Sequence, residues 1–222
     1  LAPPPIASHS SDDEFIVLAM GDLKSSATRK NLIGAINIYK RAFPQQAPAT
    51  RLVLKVQTDD AHPNFRATAL AVAGGRRDIV FRTGSLSDAE IGQLIADAGV
   101  FLSPHRSEGF GLVIAEAFLA GVPSLATGWS GNMDFMATLP ELLISQRQVP
   151  VRDPRGIYRG AGLSWAEPDI DDAAQKLRVL AASSVLRRDL AARGKACVQA
   201  QAAMWSRDAL AAMPIGQLLD DA

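Results

Sequence analysis

SPHRSEGFGLVIAEAFLAGVPSLAT, Ser103 to Thr127, is the stretch from which the fold is read. From Leu112 to Ala120 every side chain is apolar except Glu116, and a second carboxylate, Glu108, stands just ahead of Gly109-Phe110-Gly111. GVFLSP (Gly99–Pro104) in front of it reads as a buried strand, the apolar run as a helix, and VPSLAT (Val122–Thr127) as the next strand. Strand, glycine-rich turn, helix and strand make the repeating unit of a parallel sheet. A helix apolar on every other side is expected to be buried, and a buried carboxylate needs a partner.

The same rhythm extends toward the N-terminus. FIVLAM (Phe15–Met20) is a short apolar run ending in Gly21, and RLVLKV (Arg51–Val56) and DIVFRTG (Asp78–Gly84) read as further strands. Leu32, Ile33, Ile36, Tyr39 and Phe43 form one helical stripe over Asn31–Phe43, stopped by Pro44. A second helix is expected over Phe65–Ala73. A third opens at Ser87, whose Glu90 three residues on completes a capping box, and runs to about Ala96. With no hairpin signals, this alternation predicts an α/β, Rossmann-like, doubly wound parallel sheet. After Pro140 the rhythm breaks into a Pro- and Arg-rich loop around VPVRDPRGIYRG. Additional C-terminal helices follow, one from Pro168-Asp169 to about Ala182 and one from Ser184 to about Ala203.

Composition narrows the function classes. The chain has 222 residues, 48% of them hydrophobic, and 23 basic against 23 acidic side chains, so it carries no electrostatic footprint for nucleic acid. No apolar run approaches the ~20 residues of a membrane helix. The lone Cys197 forms no intramolecular disulfide, and His9, His62 and His105 make no zinc-binding cluster, so no metal is expected. The reading is a soluble, cytoplasmic protein. LAPPPIASHSSDDE begins with Leu and is rich in Pro and Ser, which is expected of a linker through which a fragment of a longer protein is entered. The expected division is therefore a linker over 1–14, the sheet domain over 15–203 and a helical segment over 204–222.

In open α/β sheets ligands bind beyond the carboxyl ends of the strands. The loop after the first strand, GDLKSSATRKN (Gly21–Asn31), offers Lys24, Arg29 and Lys30 beside a helix N-terminus, suited to phosphate oxygens or simply to solvent. RTGSLSD (Arg82–Asp88) is either a plain cap or a ligand contact. TGWSGNMDF (Thr127–Phe135) either presents the Gly131 N–H to an anion or is an ordinary turn. The loop at Ser103–Leu112 is the specific one. Its glycines let backbone approach a ligand, and the N–H groups of Phe110, Gly111 and Leu112 are expected to point out of the helix N-terminus. Glu108 on the loop and Glu116 two turns into the helix then flank a phosphate nest, which fits a molecule with hydroxyl groups at both ends. A glycosidase-like acid/base pair fits less well, because the glycine-rich helix start between the carboxylates suits an anion.

The segment Glu108-Gly-Phe-Gly-Leu-x-x-x-Glu116 resembles the E-x7-E motif of the retaining glycosyltransferases of family 4 (glycosyl transferases group 1), which have the GT-B fold. Val100–Pro104, Ala117, Gly121-Val122-Pro123 and the Lys30 loop occur in the family's order. Ser130-Gly131-Asn132 with Asp134, and Trp165–Asp169, are similar to a subgroup of mannosyl- and other hexosyltransferases of surface polysaccharide assembly. The resemblance spans Phe15 to Met204 and implies the C-terminal, donor-binding domain of two, with an N-terminal domain missing. It implies that Glu108 and Lys30 are catalytic, Glu108 on the donor sugar and Lys30 on the phosphates. Gly109, Phe110, Gly111 and Leu112 would bind diphosphate and sugar, Glu116 the ribose, and Arg82 the region of the base. The donor would be a GDP- or UDP-linked sugar, the acceptor a saccharide or lipid-linked saccharide, and no cofactor would be needed. It also implies a cytoplasmic place, peripheral at the inner face of a membrane. Many members carry Gly-Arg at the end of the first strand. Here it is Gly21-Asp22, and Lys24 or Arg29 is expected to supply the missing cation. The readings left beside this one are a non-catalytic module of the same fold and a GT-B epimerase or phosphorylase.

Overall fold

The computed structural model describes residues 14–46, 49–57, 63–154, 156–158 and 160–204, without the side chains at 24, 25, 57 and 63. The expected linker therefore lies, all but Glu14, outside the described residues, and so does the C-terminal segment beyond Met204.

Six parallel strands make the main sheet: β1 (Phe15–Asp22), β2 (Thr50–Gln57), β3 (Ile79–Thr83), β4 (Val100–Ser103), β5 (Ser124–Thr127) and β6 (Leu143–Ile144). Their spatial order is β3-β2-β1-β4-β5-β6. Parallel strands covered by helices on both faces need continuous apolar runs rather than alternation, which is why Val17, Leu18 and Ala19 are all fully buried. The helices are α1 (Leu23–Lys30), α2 (Leu32–Ala42), α3 (Pro63–Ala73), α4 (Asp88–Ala96), α5 (Leu112–Leu119), α6 (Met133–Met136), α7 (Ile170–Ala182) and α8 (Ser184–Met204). α2 packs on α7 and α3, while α5 and α6 pack on α8. The α5–α8 crossing is tight: a Cβ on Gly194 would sit 2.1 Å from the Phe118 ring. The capping box at Ser87 and Glu90 forms as expected.

Three regions depart from expectation. The expected loop Gly21–Asn31 is mostly helix, because β1 runs on to Asp22 and α1 follows at once. Its polar sequence hides the helix, which is anchored by buried Leu23 and Ser26. At Ser26 the backbone opens to an extended conformation, and the Ser26 Oγ accepts from the Arg29 N–H at 3.1 Å, restarting the helix like an N-cap. The second departure is β6, a two-residue strand that completes the sheet. The third is a hairpin-like antiparallel pair, β7 (Gln146–Pro150) with β8 (Ser164–Pro168), joined by the Pro- and Arg-rich loop. QRQVP has no alternating apolar pattern, and the long connection carries no tight-turn signal.

Among the described residues no helix is long and apolar enough to cross a membrane, and no three His, Cys, Asp or Glu side chains converge as a metal site.

Candidate functional site

The strand order reverses direction between β1 and β4, and that switch point is where an open α/β sheet leaves a crevice at its carboxyl edge. Chain leaving β1 enters α1, and chain leaving β4 enters the Pro104–Gly111 loop, so the two segments meet over the crevice. Asn31 ties them. It sits in the left-handed region (φ 54°), accepts from the Gly34 N–H at 3.2 Å and donates to the Pro104 carbonyl at 2.9 Å. The Arg106 N–H donates to the Arg29 carbonyl at 2.8 Å, and the Arg106 guanidinium holds the Thr28 carbonyl at 2.7 Å. The same guanidinium makes a two-pronged pair with Glu167 at 2.7 and 3.0 Å, fastening β8 to the loop.

These ties bring Arg29, Lys30 and Glu108 into contact across 78 and 79 residues of sequence. Lys30 Nζ donates to Glu108 at 2.5 Å, and Arg29 donates at 3.2 Å to the other carboxylate oxygen and at 2.8 Å to the Ser107 carbonyl. The Glu108 side chain is 9% exposed. Burial works against its charge, but Lys30 and Arg29 outweigh burial and hold the carboxyl below its usual range. The crevice between Met20, Lys30, Phe101, Ser103, Glu108 and Gly111 has a volume of about 20 Å³, room for one water. A larger hollow of about 530 Å³ lies between α2, the start of α3 and β8. Its one carboxylate among the described residues, Glu167, is paired with Arg106.

α5 starts at Leu112, as the apolar run predicts, with Gly111 as N-cap at φ 90° and no side-chain cap. The first-turn N–H groups are therefore those of Leu112, Val113 and Ile114; Phe110 and Gly111 precede the helix. Phe110 packs on Phe135 with ring centroids 5.1 Å apart. Glu116 is not buried. α5 buries Ile114, Ala115, Ala117 and Phe118 and leaves Leu112 and Glu116, one turn apart, exposed, so an all-apolar sequence covers only one side of the helix. Arg82 stands on β3, two strands from β1 and half-buried, away from the Lys30–Glu108 contact. The Lys24 side chain lies outside the described residues.

The β5–α6 turn is joined to the Glu108 loop. The Glu108 N–H donates to Ser130 Oγ at 2.8 Å, and the Gly131 N–H donates to the Glu108 carbonyl at 3.2 Å. The Gly131 N–H, read from sequence as an anion donor, is thus taken by protein. His105 is fully buried beneath the loop. Its Nε2 faces two acceptors, the Trp129 carbonyl and Asn132 Oδ1, each at 3.1 Å, and Ser103 Oγ lies 3.0 Å from Nδ1. Nδ1 also faces the Ser103 carbonyl at 3.1 Å, and burial holds the imidazole below its usual pKa. Neither His105 nor Asn31 stands out in the sequence, since an isolated His or Asn in a loop has no spacing to mark it.

The fold has close counterparts among solved structures. WaaG, a glycosyltransferase involved in lipopolysaccharide biosynthesis, superposes with a TM-score of 0.60 at 21% identity over 85% of this chain and 43% of its own. Sucrose-phosphate synthase from Thermosynechococcus elongatus gives 0.64 at 23% over 94% of this chain and 45% of its own. The C-terminal domain of a glycosyl transferase group 1 family protein (LpcC) from Francisella tularensis gives 0.59 at 18%, covering 84% of this chain and 85% of that domain. The chain thus spans less than half the length of the first two and matches the isolated C-terminal domain nearly end to end. A comparison with curated proteins finds no match. At these identities the structures establish the GT-B fold. The family rests on a sequence-family model described as family 4 glycosyltransferase in conflict systems, which matches residues 2–209, and to that family the chain belongs.

Proposed function

We propose that this chain is the donor-binding half of a retaining glycosyltransferase that moves a hexosyl group from a GDP- or UDP-linked sugar to a saccharide or lipid-linked saccharide. The observation that carries the reading is the pair of cations, Arg29 and Lys30, held on buried Glu108 at the switch-point crevice beside the N-terminus of α5. Mannose is the first sugar to test, surface polysaccharide the first acceptor class, and the cytoplasmic face of a membrane the expected place of action. The acceptor is held by an N-terminal domain, and this chain alone is inactive.

In the reaction the bond between the anomeric carbon and the diphosphate oxygen breaks, and the diphosphate leaves with the electron pair. The acceptor hydroxyl forms the new bond on the same face and gives its proton to the departing phosphate. Negative charge grows on the leaving oxygens, so Lys30, Arg29 and the first-turn N–H groups of α5 stabilise the transition state more than the ground state. Without donor, Glu108 occupies both cations. With donor, Lys30 and Arg29 turn to the phosphates and Glu108 accepts from sugar hydroxyls, while Glu116 accepts from the ribose.

The test is a calorimetric and thermal-shift screen of UDP-, GDP- and ADP-sugars against the 222-residue chain and its Glu116→Gln and Lys30→Met variants. One nucleotide class should bind, with Lys30→Met weakening it about a hundredfold and Glu116→Gln about tenfold. Absence of heat with all three nucleotides overturns the reading. Binding without turnover by the full-length protein would favour a non-catalytic module of the same fold.

A further inference from the structure

Lys55 lies near the middle of β2, in a strand that otherwise reads as core, and only 4% of it is exposed. Its Nζ donates to the carbonyl of Gly84, in the loop after β3. An ammonium has three donors, and among the described residues no carboxylate pairs with this one. Among the described residues the charge that acts on it is another cation. Arg82 sits directly beside Lys55 in the parallel ladder, and on the other side Lys55 is in register with Met20. Residues in register on neighbouring strands point to the same face, and adjacent strands are about 4.8 Å apart. Met20 lines the crevice with Lys30 and Glu108, so Lys55 stands one strand-spacing from the crevice wall, with Arg82 one further on. Gly84 has a φ of +98°, and among the described residues no atom beyond its chain neighbours lies within 4 Å of where its Cβ would be.

A buried ammonium that meets no carboxylate among the described residues, and lies beside a guanidinium, costs stability. Burial and the Arg82 charge both push the Lys55 pKa down. At the same edge the first strand ends in Asp22, two residues beyond Met20 and by strand alternation on the same face. Arg29, one candidate for the missing cation, is engaged by Glu108 and the Ser107 carbonyl.

We propose that Lys55, with Arg82, is the second half of the phosphate site, placed on β2 and β3 to supply the positive charge that Asp22 withholds at the end of β1. This rests on the nucleotide-sugar reading only for the identity of the phosphate ligand. Lys30 and Arg29 take one end of the diphosphate and Lys55 with Arg82 the other, so the anion spans the carboxyl ends of β1 and β2.

Inorganic pyrophosphate, UDP and GDP are titrated against the full chain and its Lys55→Met and Lys30→Met variants, with melting temperatures recorded for each. Lys55→Met should melt higher than the parent, since an unpaired buried charge is gone. It should also bind pyrophosphate and the preferred nucleoside diphosphate about tenfold more weakly. A Lys55→Met chain that melts lower and binds pyrophosphate like the parent would make Lys55 a strut for the Gly84 carbonyl and overturn the proposal. So would a parent chain that does not bind pyrophosphate. Pyrophosphate binding that depends on Lys55 while neither UDP nor GDP binds would uphold the anion site and remove the nucleotide-sugar reading.

Discussion

Two buried ion clusters sit at opposite edges of the same sheet, and they are built to different rules. At the amino edge Arg76 pairs with Asp78, whose side chain is 5% exposed, and Tyr39 donates to the same carboxylate at 3.0 Å. Arg76 also donates to the Phe43 carbonyl and lies over the Tyr39 ring, 5.3 Å from its centroid. One cation meets one anion, and a neutral phenol, its pKa pushed up by burial, fills the space between. At the carboxyl edge Lys30 and Arg29 share Glu108, and Lys55 donates to the Gly84 carbonyl. The amino-edge cluster is centred on a single cation–anion pair and holds helix α2 against β2 and β3. The carboxyl-edge cations are the ones proposed to exchange protein partners for an outside anion. The comparison sets a cluster closed around one pair against one whose proposed role is to open.

Breaking the closed cluster should have the largest effect on folding. Asp78→Ala strands a buried guanidinium and should lower stability by roughly 3 kcal/mol in urea unfolding, with nucleotide affinity unchanged once the chain is folded. Glu108→Gln comes next. It removes the carboxylate that Lys30 and Arg29 share, and about 1–2 kcal/mol of stability should go. An added anion such as pyrophosphate should restore more of that loss than it adds to the parent, because it replaces the missing charge.

Acid should separate the clusters by pH. His105 is held neutral in the native state, so below about pH 6.5 the unfolded chain binds a proton that the native one refuses, and stability falls as pH drops. The carboxyls act later. In Asp78, burial is outweighed by its bonds from Arg76 and Tyr39, and both Asp78 and Glu108 titrate below their usual values. Their contributions are present above about pH 4 and are lost as pH falls further, through the lowered native values. Urea unfolding from pH 7 to 3 should show two declines, and His105→Gln should remove the upper one. The smallest effect is expected at Glu116. Glu116→Leu on an exposed helix face should shift stability by no more than about 0.5 kcal/mol while weakening nucleotide binding.

Strands β1 to β5 and the helices α2, α4, α7 and α8 were legible because apolar runs, one clean stripe, a capping box and the Pro168-Asp169 start all act locally. α1 was not, since its sequence is polar and its helical state depends on Leu23 and Ser26 being covered. β7 escaped notice because an exposed strand needs no apolar alternation. Within the site, residue type was enough to single out Glu108, Lys30 and Arg29. That they touch one another is a property of strand order, which no local pattern encodes. Glu116 was misjudged because an apolar residue at a helix position does not mean that position is covered: Leu112 is 67% exposed. Lys55 has no spacing to mark it, since one charge in an apolar strand run shows its burial only when the sheet is assembled.

Gly131 carries a consequence for Glu108. A methyl group there would fall 1.8 Å from the Gly109 carbonyl oxygen and 2.9 Å from the Phe110 Cα, both main-chain atoms with no rotamer to yield. The β5–α6 turn therefore works as a shim beneath the Glu108 loop, one atom thick. Gly131→Ala would lift that loop from a position remote from the ligand, loosening the grip on Lys30 and Arg29 without altering a single charge. The tolerance of the loop is thus set in the neighbouring β5–α6 turn, by the absence of a side chain.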